Sequence, residues 1–330
     1  MPASTEFVRA GNWVFGTGLR DTDPESLFRH INSELHRLGS SMSLVARLDQ
    51  YYPDARAVAP YHAARKQVFD RRQVAPSTSV IVSGLQDPQA GFDVQVMAAT
   101  SASGLVLEEI GAGLSRPETS GYAPCLRVGD LVFVAGQLAR DGTGAVVAYG
   151  TADETAYIFH RRLLPALEAA DSGPELVLKA QVYLSGNEDL DRFHTVWQNL
   201  FQGLAPPTTV VAVRYPAFLT TEATVEVNLI AARRSARSRV RHIERGNVSA
   251  RMLDGLLFVG GVDGADLDEV VHKARPVFAE AGSDVSNVVR ALVFHPGHGG
   301  LAGARLPFRF TAVEVRAGLT VDLWGYAPKP

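Results

Sequence analysis

A short apolar run closing on glycine recurs three times along the chain. It reads "GNWVFGTGLRD" at 11–21, "GDLVFVAGQLARDGTG" at 129–144 and "DGLLFVGGVDG" at 254–264. Each run has the length of a buried strand, and each is followed by a segment patterned as a helix. The first such segment, "DPESLFRHINSELHRLG", offers Asp23 as N-cap, Pro24 at the first helical position and Gly39 at the stop. Leu27, Ile31, Leu35 and Leu38 keep helical spacing there, as do Val270, Ala274, Val277 and Phe278 in "DLDEVVHKARPVFAEAGSD". Between them lies "TADETAYIFHRRLLPALEAADSG". Pro165 and Pro276 fall inside these patterns, so each helix is expected to kink there or to start later.

Polar turns then lead into the strands "LVARLDQYY", "LVLKAQVYLSG" and "VVRALVFHPG". Two further helices follow, "AVAPYHAARKQVFD" and "DLDRFHTVWQNLFQG", each ending in a proline step before a pair of strands. The third stretch has "FHPGHGGLAGARL" in place of that helix, then resumes with "FRFTAVEVRAG" and "LTVDLWGYA". The chain therefore reads β–α–β–α–β–β twice, and once more with a helix missing. The alternation argues for an α/β or α+β class, with helices covering one sheet face; α+β is the expected one. Composition shifts near 105–120 and 233–247 divide it into units 1–110, 111–235 and 236–330.

Composition narrows the function classes. Apolar residues make up 46% of 330 positions, enough for packed cores, and no window holds the ~20 apolar residues of a membrane span. Net charge is −3, which argues against nucleic acid or anionic membrane as partner. The six arginines at 233–245 read as a solvated linker. A single cysteine, Cys125, excludes an internal disulfide and a multi-cysteine zinc site. With no basic and apolar leader at the N-terminus, a cytoplasmic location is expected. No P-loop, dinucleotide fingerprint or Gly-x-Ser-x-Gly elbow occurs, and neither a cofactor nor a metal is expected; His295 and His298 alone make a poor metal site.

The stretches "YAPCLRVGDLVFVAGQLARDGTG", "LVLKAQVYLSGNEDLDRFHTVWQNLF" and "ATVEVNLIAA" resemble the Rid (YjgF) family of enamine and imine deaminases. The resemblance runs through nearly all of 111–235 and is looser in the outer units. It implies chorismate-mutase-like domains that assemble as trimers with ligand clefts between subunits. Three such units in one chain imply an intramolecular pseudo-trimer, its third unit lacking one helix. The particle would then be one chain or a weak dimer, with a small, carboxylated molecule as its substrate.

The resemblance also implies site residues. The family places an arginine two residues after a proline, where it clamps a substrate carboxylate. Thr78 and Thr208 stand at that place in the first two units, and only Arg309 offers a guanidinium in the third. The family's last-strand glutamate maps to Met97, Asn228 and Trp324, with Glu226 and Asp322 two residues earlier as replacements. Tyr122 matches a cleft tyrosine, and Gly18, Gly136 and Gly261 allow close approach of a ligand. His62 and His194 sit at equivalent places on the second helices, where a residue titrating near neutral pH could shuttle protons. The candidate set is thus Arg309, His194, His62 and Glu226 for catalysis, and Tyr122, Gly136, Thr208, Thr78 and Asn228 for binding. Cys125 reads as a buried thiol. Hydrolytic deamination leads; a chorismatase-like reaction on a carboxylated ring substrate and a non-catalytic binding role are the alternatives.

Overall fold

The computed structural model describes residues 6–69, 75–111, 121–186, 190–297, 301, 306–315 and 318–328. In the first unit, β1 (Phe7–Ala10), β2 (Trp13–Asp21), β3 (Val45–Tyr52), β4 (Ser77–Ile81) and β6 (Phe92–Ala99) form one sheet, while β5 (Gly84–Leu85) pairs elsewhere. The second sheet holds β7 (Leu107–Glu109), β8 (Cys125–Val128), β9 (Leu131–Gln137), β10 (Val177–Ser185), β11 (Thr208–Val213) and β12 (Val225–Ala232). The third holds β13 (Arg241–Arg245), β14 (Val248–Leu253), β15 (Leu256–Val259), β16 (Val262–Gly264), β17 (Val288–His295), β18 (Thr311–Glu314) and β19 (Leu319–Tyr326). The strand order β4-β3-β6-β2-β1 recurs as β11-β10-β12-β9-β8 and as β18-β17-β19-β15-β14. β5 of the first unit adds to the edge of the third sheet, with Leu85 opposite Val313.

The helices are α1 (Pro24–Arg37), α2 (Val58–Val68), α3 (Thr151–Ile158), α4 (Leu164–Ala169), α5 (Leu190–Leu200) and α6 (Leu267–Glu280). Asp23 caps α1 as its position predicts, accepting from the backbone of Glu25 and Ser26, and Asp266 caps α6 by accepting from Glu269. α6 runs through Pro276 without a break, against expectation. At Pro165 the strain is taken up differently: α3 and α4 are joined by a π-helical turn, Phe159–Leu163. Among the described residues between β17 and β18 none is helical.

The recurring apolar run has a physical purpose. β3, β10, β17, β6 and β12 are buried along their whole length, because each sheet is covered on both faces. One face meets the unit's own helices: Leu27, Ile31 and Leu35 in the first, Phe159, Leu163 and Trp197 in the second, Val270, Val277 and Phe278 in the third. The other face meets the neighbouring sheets. Phe15, Phe133 and Phe258, the phenylalanines of the three twin strands, enter one common cluster with Trp13, Met97, Ile230 and Trp324. Each such side chain contributes roughly 1.5–3 kcal/mol by leaving water. The three hairpin turns at Gly11–Asn12, Gly129–Asp130 and Asp254 converge on one depression beside that cluster.

A buried ionic chain lies between the sheets. Arg47, Lys179 and Arg290 occupy matching places at the starts of β3, β10 and β17. Arg47 pairs with Asp49 at 2.8 Å and donates to Asn228 Oδ1 at 2.7 Å. Arg290 bridges Asp49 at 2.7 Å and Asp322 at 3.1 Å, and its guanidinium stacks 4.0 Å over Trp324. Lys179 completes the chain at 2.7 Å from Asp322. Every pair crosses, or shares a member with one that crosses, from one unit to another. Burial alone would raise the Asp322 carboxyl, but Lys179 and Arg290 outweigh it and hold the group below its ordinary range.

The arginine-rich linker is also structural. Arg233 and Arg234 pair with Asp171, Arg237 with Glu175 and Arg245 with Glu280. Arg239 joins Asp130 of the second unit to Asp254 of the third. Exposed pairs of this kind are worth ~0–1 kcal/mol each, so they fix orientation more than they stabilise.

Candidate functional site

A cleft of about 540 Å³ opens between α2 and β4 of the first unit and β9, β12 and the segment 218–220 of the second. Ala59, Ala63, Leu138, Phe218 and Leu219 form its apolar wall. His62, Arg65, Lys66, Tyr122, Arg140 and Glu226 supply its polar groups. Four of the sequence candidates, His62, Tyr122, Gly136 and Glu226, therefore meet here.

Glu226 sits on β12 opposite Tyr183 of β10 and is 6% exposed. Its Oε1 has no hydrogen-bond partner among the described residues. The carboxyl presses against Gly136, where an added Cβ would lie 2.6 Å from Cδ. Space, not backbone conformation, is the reason for glycine at this position. Burial pushes the Glu226 carboxyl up to about 8, with Arg140, Arg47 and the Thr78 hydroxyl pulling it down and Asp49 adding to the rise. At neutral pH the group is mainly a carboxylic acid that can donate a proton. Gly136→Ala should expel this carboxyl from its niche and return its titration toward ~4.5. Carbon-detected NMR titration of the side chain checks this, and an unchanged midpoint would contradict the packing argument.

His62, on α2, lies 3.3 Å from Ser79 Oγ, which in turn donates to Gln50 Oε1 at 2.8 Å. Burial, then Arg65 and Lys66, push the imidazole down to about 3. The expectation of a histidine that titrates near neutrality is corrected: the ring is neutral throughout that range. Arg65 is buried, with Nη1 donating to Gln50 Oε1 and Ser77 Oγ, both at 3.1 Å. Arg140 Nη1 donates to Thr220 Oγ1 at 3.1 Å. Neither arginine is among the sequence candidates. Arg65 lies one helical turn from Tyr61 and His62, the one periodic signal that points to it.

The other candidates lie elsewhere. Thr78 and Asn228 meet across the first two units, Asn228 Nδ2 donating to Thr78 Oγ1 at 2.9 Å, beside Arg47. Thr208 accepts from Trp197 Nε1 at 3.1 Å and donates to the Pro206 carbonyl, so it faces α5. His194 is on the exposed face of α5, edge-on to Phe193 at 5.8 Å. Arg309 lines a separate depression of about 330 Å³ beside β1, with Glu6 at 3.9 Å. It shares no wall with the cleft that holds Glu226.

Strand register corrects two sequence alignments. Thr78, Thr209 and Thr311 lie opposite Asp49, Gln181 and Leu292, which are themselves equivalent. The second-unit counterpart of Thr78 is therefore Thr209, not Thr208, and the third-unit counterpart is Thr311, not Arg309. The counterparts of Asn228 are Gln95 and Asp322, not Met97 and Trp324. A threonine stands at this equivalent position in all three units. Thr209 donates to Asp322 at 2.7 Å, and Thr311 to Asp93 at 2.9 Å.

The same register explains why the other two seams differ. Glu226 has Asp93 and Thr320 as counterparts. Asp93 is engaged by Arg20 at 2.7 Å, and Gly18 N donates to Thr311 Oγ1 at 3.0 Å across that seam. Between the second and third units, Gly261 N donates directly to the Thr208 carbonyl at 3.0 Å, so backbone fills the corresponding space. Cys125 is buried and its thiol is pushed up to about 12, so it is inert. His298 lies outside the described residues. Among the described residues no three His, Cys, Asp or Glu side chains gather as a metal would require, and no helix is long and apolar enough to cross a membrane.

Comparison with known proteins agrees with this architecture. Residues 114–233 match the family model described as endoribonuclease L-PSP. A RutC family protein of Saccharolobus solfataricus is 31% identical over 106 residues, covering 32% of this chain and 83% of that protein. A chorismatase crystal structure superposes with a TM-score of 0.53 at 18% identity, over 68% of this chain and 76% of that one. A member of the YjgF protein family from Neisseria meningitidis matches at 22% identity and a TM-score of 0.32, over 39% of this chain and 96% of that one. The family model and the RutC family relative lead to one assignment: the chain belongs to the RutC, or YjgF/Rid, family.

Proposed function

We propose that this protein is a hydrolase of small carboxylated imines or enamines, and that Glu226 in its neutral form is the proton donor. The observation that carries the reading is a buried carboxyl, raised to about 8 and with its Oε1 left without a hydrogen-bond partner among the described residues, in a cleft whose other charged groups are cations. The three units 1–110, 111–235 and 236–330 act in this reading as the subunits of a pseudo-trimer, and the seam between the first two is the working one. Linking the units covalently frees each seam to specialise, since assembly no longer depends on concentration.

In the proposed reaction Glu226 gives its proton to the imine nitrogen. Water adds to the electrophilic carbon and the carboxylate takes a proton from it. The carbinolamine nitrogen then takes that proton from Glu226 and leaves as ammonia, and the hydroxyl proton passes back to the Glu226 carboxylate as the ketone forms, which restores the acid. Cationic Arg65, Lys66 and Arg140 favour an anionic substrate over a neutral one. His62 and Tyr122 serve as hydrogen-bonding groups of the wall.

A second reading is favoured by the threonines at the family's arginine position, Thr78, Thr209 and Thr311. A neutral acid beside an apolar wall also suits protonation of an enol ether on a carboxylated ring, the chorismatase-like alternative. One experiment separates them. Ammonia release from freshly generated 2-iminopropanoate supports the deaminase. Loss of ultraviolet absorbance from a cyclic dienol ether, without ammonia, supports the second reading. Saturable binding without turnover of either would mean a ligand-binding protein.

A further inference from the structure

The basic groups of the cleft are not interchangeable. Arg65 is buried and committed to Gln50 and Ser77. Lys66 lies with its stem against Gly121, where an added Cβ would be 2.9 Å from Cε. Arg140 is half-buried and has no ion-pair partner among the described residues; its Nη1 donates to Thr220 Oγ1. It lines the same cleft as Glu226. A guanidinium in that state offers a planar fork to a carboxylate, which a lysine cannot match.

The wall next to Arg140 is apolar. Leu138 and Phe218 are buried in the cluster beneath it, whereas Leu219 is 60% exposed at the rim. Phe218, Leu219 and Thr220 are consecutive, so the apolar surface and the group that orients Arg140 belong to one segment. An exposed leucine at the mouth of a cleft of about 540 Å³ leaves apolar area for a ligand to cover.

Building on the reading of the cleft above, we propose that Arg140 is the carboxylate anchor. Its ligand is a ring-bearing monocarboxylate whose ring lies on Leu138, Phe218 and Leu219 and whose far edge faces Glu226. The guanidinium that the family places on the strand after the proline step is thus supplied here from the segment following β9. Thr78 has taken over the vacated place as a hydrogen-bond partner of Asn228.

Calorimetric titration of the whole chain with benzoate, cyclohexene-1-carboxylate and benzamide tests this. Both carboxylates should bind with Kd of about 0.1–1 mM and the amide should not. Arg140→Ala should weaken benzoate roughly 30-fold, Arg140→Lys should recover part of that loss, and Leu219→Ala should weaken benzoate more than acetate. Arg309→Ala, in its separate depression, should change nothing. Unchanged benzoate affinity in Arg140→Ala, with an unaltered melting curve, overturns the anchor. Binding that survives Ala63→Trp, which fills the cleft, places the ligand elsewhere and overturns the cleft reading as well. No saturable binding of either carboxylate up to about 20 mM rejects the ring-bearing class, while ammonia release from 2-iminopropanoate would still uphold the cleft.

Discussion

Glu226→Gln should lower turnover by about 10²–10⁴-fold while leaving the fold intact. The amide keeps the size of the side chain and its fit against Gly136, but it has no acidic proton to transfer. In the wild-type protein the acid form must be present, so kcat/KM should fall about tenfold per pH unit above about 8. That limb should vanish from the residual activity of the variant. A second readout separates chemistry from stability. The folded carboxyl titrates at about 8, above its ordinary value of 4.5. The folded state therefore holds the proton more tightly than the unfolded chain, and wild-type stability declines as pH rises from about 4.5 to about 8. The glutamine variant lacks this decline and should melt higher than wild type at pH 9. If turnover survives in the variant, or if the alkaline limb persists, Glu226 is not the proton donor.

Asp322→Ala should destabilise the fold by about 3–5 kcal/mol. The change leaves Lys179 and Arg290 buried without a carboxylate they share, and it removes the acceptor of the Thr209 hydroxyl. For a chain of this size the melting temperature should drop on the order of 10 °C. The effect has a pH signature. The folded Asp322 carboxyl is held below 3.8, so its contribution is complete above that value and is lost as pH falls through the lower folded pKa. The gap between variant and wild type should close in strong acid and stay constant from pH 5 to 8. A variant that melts with the wild type would mean that the ionic chain does not hold the units together. Asp322 is far along the chain from Lys179, yet their pairing fastens the second unit to the third, while Arg290 fastens the third to the first through Asp49.

Much of the candidate site was legible because pattern and spacing are local. Glu226, Gly136, Tyr122 and His62 could be named from their places on β12, β9 and α2, and they do share a cleft. Arg309 was misplaced for a reason of register. It precedes Thr311 by two positions, and the parallel pairing of β17 with β18 sets Thr311, not Arg309, at the equivalent place. Met97 and Trp324 were misplaced in the same way, each two residues beyond Gln95 and Asp322. A two-residue slip keeps the side chain on the same face, so hydrophobic alternation gives no warning. His194 matched His62 in the helix but not in burial, since α5 turns it to solvent. Arg140 carried no signal at all, lying in an irregular segment after β9.

What the chain determines by itself is the inventory of elements. The threefold phenylalanine strand and the cap at Asp23 follow from residue type and period, because they are patterns a few residues long. Tertiary structure alone decided which seam opens. That choice depends on whether Gly261 meets the Thr208 backbone, whether Arg20 reaches Asp93, and whether Glu226 finds the space that Gly136 leaves open. Those are contacts between residues tens of positions apart, and the desolvation that raises Glu226 exists only once the sheets have closed around it.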